Sequence, residues 1–223
     1  MNTSATHFGI LVSPYRAAQA LPTAAKVRPA ALLVLAAGLY LAIGMLISYL
    51  SRAYPAPPEV LNIYIETWGE FTMLPFLKIP PETYRLFLAI IGIPLVFAVW
   101  MLMAGTAKLL SLLMGGRASY EQYLVITAFG FFPFWLLAAV IDTIFSGVID
   151  GYVLRALTGQ LGPFAAAFWM NFPAFFYIIL YGLGGVWIGI GAAGVEPFRW
   201  WKAALIAVLC FAWPMLLMSA LLR

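Results

Sequence analysis

The polar residues that could carry chemistry in this sequence are few and scattered. The chain has one histidine, His7, and one cysteine, Cys210, so it cannot assemble a histidine-rich metal site, a Cys-His pair or an intrachain disulfide. It offers no Ser-His, paired-aspartate or His-Glu-x-x-His arrangement. Asp142 and Asp150 could bind a cation or a partner, but such residues most often end a span. We therefore expect no catalytic residues, no metal site and no cofactor, and hence not an enzyme.

The composition places the chain in a lipid bilayer. Hydrophobic residues make up 65% of the sequence and charged residues 9%, whereas soluble domains have about 45–50% and about 25%. The net charge of +4 comes from dispersed residues rather than from a basic stripe. Membrane lipids are therefore expected partners, and nucleic acid is not.

Uncharged runs of about 20 residues predict an all-α, polytopic membrane helical bundle with about five transmembrane helices. The predicted spans are 29–51, 86–107, 120–142, 164–189 and 203–222. The uncharged run 156–195 is 40 residues long, which exceeds one span. We expect Gly162-Pro163 to break it, and one span is favoured over two.

Lysine and arginine indicate the orientation. Seven of the twelve fall on the side that holds the N-terminus, so we place segment 1–28 in the cytoplasm or at its interface. The opposite side holds the long outer loop 52–85. In this loop, apolar residues from Leu61 to Phe71 recur at helical spacing opposite glutamates, which predicts an amphipathic helix. Its acidic face favours packing on the bundle or on a partner.

Two kinds of residue inside the predicted spans bear on packing and on possible grooves. Prolines remove a backbone donor and bend helices, and broken helices can form substrate sites when polar residues lie beside them. Because their neighbours are mainly aromatic, static kinks are favoured. The kink or groove candidates are Pro94, Pro133, Asn171, Pro173 and Pro214. Small residues four apart allow helices to approach closely. The candidates for helix packing or for an oligomer interface are Gly38, Gly44, Gly185 and Gly189.

The predicted cytoplasmic loops carry basic and aromatic residues of the kind that anchors a bundle at the membrane surface. These side chains also suit recognition of anionic lipid headgroups, which is the more specific hypothesis. The candidate anchors are Lys108, Arg117, Arg199, Trp200, Trp201 and Lys202.

The loop between the second and third predicted spans reads Leu-Leu-Ser-Leu-Leu-Met-Gly-Gly-Arg-Ala-Ser-Tyr-Glu-Gln-Tyr-Leu over residues 109–124 and is followed by Pro133. It resembles the corresponding turn in prokaryotic members of the Yip (Ypt/Rab-interacting protein) family, and Ser-Pro-Tyr-Arg-Ala at 13–17 resembles the start of that family. The residues of this family-like motif are Pro14, Gly115, Gly116, Arg117 and Ser119.

The resemblance implies a five-span bundle with a cytoplasmic N-terminus. Eukaryotic relatives are associated with Rab-type GTPases and carry a long N-terminal region with an Asp-Leu-Tyr-Gly-Pro segment, which this sequence lacks. Prokaryotic relatives resemble membrane-organising or accessory proteins. The resemblance therefore implies the fold more than it implies GTPase recruitment, and a bacterial plasma (inner) membrane location is expected.

Two functions follow from these patterns. The favoured one is a non-catalytic membrane-organising scaffold or accessory subunit of a membrane complex, bound to another membrane protein or to copies of itself. The alternative is a lipid-handling or small-solute transport protein that uses Pro-kinked spans. The alternative requires a polar crevice, to which four residues could contribute: Thr127, Gln160, Asn171 and Tyr181.

Overall fold

The computed structural model describes the backbone of residues 9–50 and 81–221. Within these ranges it also describes the side chains, except at 48, 81–84, 146–147, 149–150, 173–174 and 213–221. The predicted outer amphipathic helix lies outside the described residues, as do the side chains of Pro173 and Pro214.

Six helices form the described part of the protein, and they contain no β-strand. In chain order they are α1 (Pro14–Gln19), α2 (Arg28–Leu50), α3 (Pro81–Leu113), α4 (Tyr120–Leu157), α5 (Pro163–Val195) and α6 (Trp200–Leu221). A short helical turn at 9–12 precedes α1. Helices α4 and α5 form a hairpin, α2 packs mainly along α3, and α6 packs along α5 and α3.

Four helices contain stretches long and apolar enough to cross a bilayer. These stretches are Arg28–Ile47, Arg85–Leu113, Tyr120–Phe145 and Phe175–Val195, and Trp200–Ala212 forms a shorter apolar helix in the described part of α6. The predicted class, a polytopic membrane helical bundle, is confirmed. The limits of each span and the cytoplasmic position of the N-terminus stay predictions.

The expected break in the long uncharged run is present. Helix α4 ends at Leu157, where Gly159 has φ +70° and accommodates the left-handed turn that closes many helices. Gly162 then caps α5, and Pro163 occupies the first turn, where its missing N–H costs no hydrogen bond. Residues 163–195 form one continuous helix.

The buried core lies towards one end of the bundle. In α4 the buried apolar residues run from Tyr123 to Phe132, and beyond them only Ala138 and Ala156 are buried in the described part of the helix. Trp100 of α3, Ile188 of α5 and Ile206 of α6 complete this core; other members are Met103, Val125, Ile126, Phe129 and Cys210. The end of the bundle nearest this core is therefore the most closely packed.

Three of the four glycines predicted at helix contacts pack within the chain. Gly38 of α2 lies against Ile93 of α3, whereas Gly185 and Gly189 of α5 lie against α6. A β-carbon on Gly189 would lie 2.9 Å from the β-carbon of Ala207 and 3.0 Å from the carbonyl oxygen of Ala203. Gly44 has no neighbouring atom within 4 Å of such a β-carbon in the described structure.

Replacing Gly189 with alanine is expected to lower the stability of the bundle by about 1–3 kcal/mol, because the added methyl group forces α5 and α6 apart. Thermal unfolding in detergent, followed by tryptophan fluorescence, measures this change. Gly182→Ala is the matched control, because nothing described lies within 4 Å of a β-carbon there. Equal losses in the two variants would contradict close α5–α6 packing.

Candidate functional site

Three segments meet at the well-packed end of the bundle. They are the N-terminal segment 9–27, the α3–α4 loop 114–119 and the α5–α6 loop 196–199. We call this region the loop end. Most of the residues singled out by the family-like motif and by the predicted basic loops lie here.

The Glu196 carboxylate joins the two loops. Glu196 is only 3% exposed. Its Oε1 accepts hydrogen bonds from the Ser111 hydroxyl (2.6 Å) and the Ala118 backbone N–H (2.7 Å), while Oε2 accepts one from the Arg117 backbone N–H (2.8 Å). Hydrogen bonds to an ionised acceptor are about twice as strong as neutral ones. This Glu196 cluster (Ser111, Arg117, Ala118, Glu196) therefore fixes the α3–α4 loop against the start of the α5–α6 loop.

Gly115 and Gly116 shape the loop so that its amides can reach the carboxylate. Gly115 has φ +84°, and the Gly115 and Gly116 amides bond to the carbonyls of Leu112 and Ser111, as in a Schellman helix end. Gly116 lies directly against the Glu196 cluster: a β-carbon there would overlap the Ser111 hydroxyl and lie 2.5 Å from Glu196 Oε1. Glycine is thus required at 115 by the left-handed backbone and at 116 by the lack of space for a side chain.

Ser119 begins α4 and connects it to the N-terminal segment. The Ser119 hydroxyl accepts from the Gln122 amide, and the Gln122 side chain accepts from the Ser119 amide, which forms a capping box. The same Ser119 hydroxyl donates to the Thr23 carbonyl, and the Gln122 side-chain amide donates to the Leu21 carbonyl at 3.0 Å. The cap therefore also holds the chain just before α2.

The N-terminal segment packs on the end of α5. Pro14 is buried at the first position of α1. The Trp187 indole donates to the Leu11 carbonyl at 3.2 Å. Gly194 permits the close approach of α1, because a β-carbon there would lie 2.5 Å from the Tyr15 carbonyl oxygen. The motif residues at positions 14 and 115–119 thus belong to one packed assembly.

Two of the predicted anchors bind the loops themselves. The Lys108 ammonium donates to the Ala118 carbonyl at 2.6 Å, and the Lys202 ammonium donates to the Met114 carbonyl at 2.7 Å. Lys202 also lies over the rings of Phe198 and Trp201, 5.3 and 5.8 Å from their centroids. These two lysines therefore hold carbonyls near the two ends of the α3–α4 loop.

The remaining anchors face outward. The side chains of Arg117 and Arg199 are exposed and form no hydrogen bond or ion pair with another described residue. Trp200 is 81% exposed and Trp201 47% exposed. The loop end therefore presents a basic and aromatic surface, next to a loop backbone that Glu196, Lys108 and Lys202 fix by hydrogen bonds. We call this surface the basic face (Arg117, Arg199, Trp200, Trp201).

The other predicted residues lie away from the loop end. Asn171 is exposed on α5 and its side chain donates to the Ala167 carbonyl of its own helix. Pro94 lies inside α3 and Pro133 inside α4, and both helices continue through them. Neither proline contributes to the Glu196 cluster.

Sequence reasoning missed several residues of the assembly, among them Glu196, Ser111 and Gln122. The Ser119-x-x-Gln122 spacing is a readable capping-box signature before an apolar run. Glu196 is the only acidic residue between Arg155 and the end of the sequence. The sequence signal for Glu196 was a single carboxylate among basic residues, at the same predicted end of the bundle as the Gly-Gly loop.

The loop end presents cationic and aromatic side chains, which are suited to binding. Its buried carboxylate is occupied by three donors, and the described residues include no group of three His, Cys, Asp or Glu that could hold a metal ion. Cys210 is buried in the core, with its sulfur 3.5 Å from the Met103 carbonyl oxygen. The groups left for outside contacts are cationic and aromatic side chains.

The comparisons with known proteins place the chain in a family. Residues 8–222, nearly the whole chain, match the family model described as the Yip1 domain. No curated protein and no solved structure matches the chain significantly. The Yip1 family is not a known enzyme family, and its members interact with other proteins. The predicted family is confirmed, while its prokaryotic type stays a prediction: the chain, a multi-pass integral membrane protein, belongs to the Yip1 domain family.

Proposed function

We propose that this protein is a non-catalytic, membrane-organising scaffold or accessory subunit of a membrane complex, and that its basic face contacts the partner protein. The bacterial plasma (inner) membrane is the proposed location, with the N-terminus and the loop end in the cytoplasm. The positive-inside rule supports this orientation, because the predicted side of the membrane that includes the loop end carries seven of the twelve lysines and arginines.

The observation that carries the proposal is the contrast between the backbone and the side chains of the loop end. Backbone amides and carbonyls of the α3–α4 loop are bonded to Glu196, Lys108 and Lys202, whereas Arg117 and Arg199 extend outward without a described partner. A surface that is already ordered loses little conformational freedom on binding. Arginine and tryptophan are also the side chains that dominate binding energy at protein interfaces.

The glycine faces contribute less to this proposal than the sequence predicted. Gly38, Gly185 and Gly189 lie at contacts between helices of the same chain. Gly44 is exposed on α2 and is the one of the four with open space around it in the described structure. We infer that a membrane partner or a second copy would approach the bundle at Gly44 rather than at α5.

The distribution of polar residues favours the scaffold over solute transport. Thr127 is buried near the loop end, and Gln160 lies in the α4–α5 turn, about 45 Å further along by the rise of an α-helix. Asn171 is exposed and Tyr181 packs on Phe131. These four residues do not converge on the polar crevice that small-solute transport requires.

The proposal is tested by extracting the protein from its native membrane in polymer discs, at endogenous expression, and identifying stoichiometric components by mass spectrometry. A second membrane protein or a second copy is expected. The Arg117→Gln/Arg199→Gln variant should retain about ten-fold less of it, because two interfacial charges at roughly 0.5–1 kcal/mol each total about 1.4 kcal/mol.

Arg155→Gln is the matched control, because Arg155 is an exposed arginine at the opposite end of α4. It should retain the partner fully. A lone monomer from the native membrane would contradict the scaffold proposal. A partner kept equally by all variants would contradict the basic face as its binding surface.

A further inference from the structure

Asp142 lies inside a helix rather than at its end. Helix α4 continues beyond Asp142 to Leu157. Three earlier residues of α4 share its face at helical spacing: Phe131, Trp135 and Ala138. Phe131 and Ala138 are buried, and Asp142 is half-buried. A carboxylate on a packed helix face, within the apolar stretch Tyr120–Phe145, is by default a candidate functional site.

Helix α5 brings two tyrosines to this carboxylate. The Tyr177 hydroxyl lies beside the Asp142 carboxylate, and Tyr181, one turn further along α5, is close enough to interact with it electrostatically. The ring centroids of the two tyrosines are 5.6 Å apart. Phenols can donate hydrogen bonds to a carboxylate, but they bring no positive charge to balance it.

Helix α2 brings a third tyrosine to the same turn of α4. The Tyr40 hydroxyl donates to the Ala139 carbonyl at 2.8 Å and hydrogen-bonds to the Thr143 hydroxyl. The Tyr40 ring also meets the Trp135 ring edge-on, with centroids 6.4 Å apart. Helices α2 and α5 pack on α4 rather than along each other, and Asp142 is half-buried at this level. We call these five residues the aromatic cluster (Tyr40, Trp135, Asp142, Tyr177, Tyr181).

A carboxylate among aromatic rings has the chemistry that recognises an organic ammonium group. The carboxylate supplies a counter-charge, and the ring faces attract a cation more strongly when the site is shielded from water. The single carboxylate of the cluster matches a single positive charge. A hard metal ion is a poorer fit, because it requires several oxygen ligands, whereas the cluster presents mainly ring carbon.

We propose that the aromatic cluster binds an organic ammonium group, carried by a lipid headgroup or by a free amine, with Asp142 as its counter-ion. The cluster shares no residue with the basic face. The proposal therefore does not depend on the scaffold role.

Calorimetric titration of the whole protein tests the site. The protein is reconstituted in discs of phosphatidylglycerol, a lipid without an ammonium group, and titrated with tetramethylammonium or ethanolamine at an ionic strength kept constant with sodium chloride. Saturable binding is expected. Asp142→Asn should weaken it at least about ten-fold, because it removes one partner of a shielded charge pair. Glu121→Gln is the matched control, since it removes an exposed carboxylate from the start of the same helix and should leave binding unchanged.

Two further substitutions separate the ring of Tyr177 from its hydroxyl and binding from folding. Tyr177→Phe keeps the ring and should bind nearly as the wild type does, whereas Tyr177→Leu should bind about two- to thirty-fold more weakly. Asp142→Glu keeps the charge and should retain binding. Asp142→Asn should unfold in detergent at the wild-type temperature, so that its loss of binding is not a folding defect.

A lipid experiment identifies the source of the ammonium group. The protein is released from discs of phosphatidylethanolamine and phosphatidylglycerol in equal amounts, and native mass spectrometry identifies the lipids that it retains. Phosphatidylethanolamine kept by the wild type and lost from Asp142→Asn would identify a lipid headgroup. Binding of ethanolamine without retained phosphatidylethanolamine would identify a free amine.

The proposal is overturned if the wild type binds none of these ammonium compounds, or if Asp142→Asn binds them as tightly as the wild type. A protein partner from the native membrane that Asp142→Asn loses, in a chain that binds no ammonium compound, would make Asp142 a protein contact. That result would also overturn the proposal.

Discussion

Replacing Glu196 with alanine is expected to lower the free energy of unfolding by roughly 3–5 kcal/mol, because three buried or partly buried donors lose their acceptor and each costs about 1–3 kcal/mol when unpaired. The donors are the Ser111 hydroxyl and the amides of Arg117 and Ala118. Water can reach Arg117 and relieve part of this cost. Equilibrium unfolding in detergent, followed by tryptophan fluorescence, measures the change.

Glu196→Gln and Ser111→Ala separate the contributions within the Glu196 cluster. Glutamine keeps one acceptor oxygen for Ala118 and Ser111 but turns an N–H₂ group towards the Arg117 amide, so an intermediate loss is expected. Ser111→Ala removes one donor and leaves the two amide bonds, so the expected loss is about 1 kcal/mol. Equal stability of the wild type and Glu196→Ala would contradict a structural role for the carboxylate.

Replacing Gly116 with alanine is expected to be nearly as damaging, with a loss of roughly 3 kcal/mol or more, because the new methyl group displaces the Glu196 carboxylate from its donors. The β-carbon would lie 2.5 Å from Glu196 Oε1 and 2.7 Å from Phe198 Cζ. Unfolding in detergent measures this loss too, and the double variant with Glu196→Ala should lose less than the sum of the two single losses.

Gly115→Ala is the matched control for Gly116→Ala. Gly115 needs its left-handed backbone, which costs alanine about 1–2 kcal/mol, but no described atom lies within 4 Å of a β-carbon there. Its effect should therefore be smaller and additive with Glu196→Ala. If Gly115→Ala were the more harmful of the two, the close contact between Gly116 and the carboxylate would be wrong.

Much of the fold follows from features that act along short stretches of sequence. Apolar runs closed by charge predict spanning helices because an unpaired backbone group in hydrocarbon costs several kcal/mol. The break at Gly162-Pro163 was predictable because proline belongs at the first turn of a helix. The family-like motif was visible because its glycines and Ser119 serve turns and caps, which depend on local geometry.

The contacts of the loop end depend on residues far apart in the sequence, and this is why they were not predicted. Glu196 reaches Ala118 across 78 positions, and the Ser119 hydroxyl reaches the Thr23 carbonyl across 96. Lys108 and Lys202 fit the pattern of surface anchors, and only the three-dimensional structure shows their ammonium groups on loop carbonyls. The small-residue spacing at Gly185 and Gly189 likewise indicated close packing but not which helix would be the neighbour.

These contacts give the family-like motif a structural meaning in this chain. Gly115, Gly116 and Ser119 shape a loop that encloses a carboxylate from the α5–α6 loop. Arg117 contributes to the packed loop and to the basic face, because its amide donates to Glu196 while its side chain is exposed. The basic face is thus oriented by the Glu196 cluster beneath it.

Amide hydrogen exchange at Arg117 and Ala118 tests most directly whether Glu196 organises the loop end. In the wild type both amides are expected to exchange far more slowly than those of an exposed loop, because each donates to the carboxylate. In Glu196→Ala this protection should disappear, while the amides of Val125 and Ile126 in the core of α4 stay protected. Rapid exchange in the wild type, or protection that survives the substitution, would contradict the role assigned to Glu196.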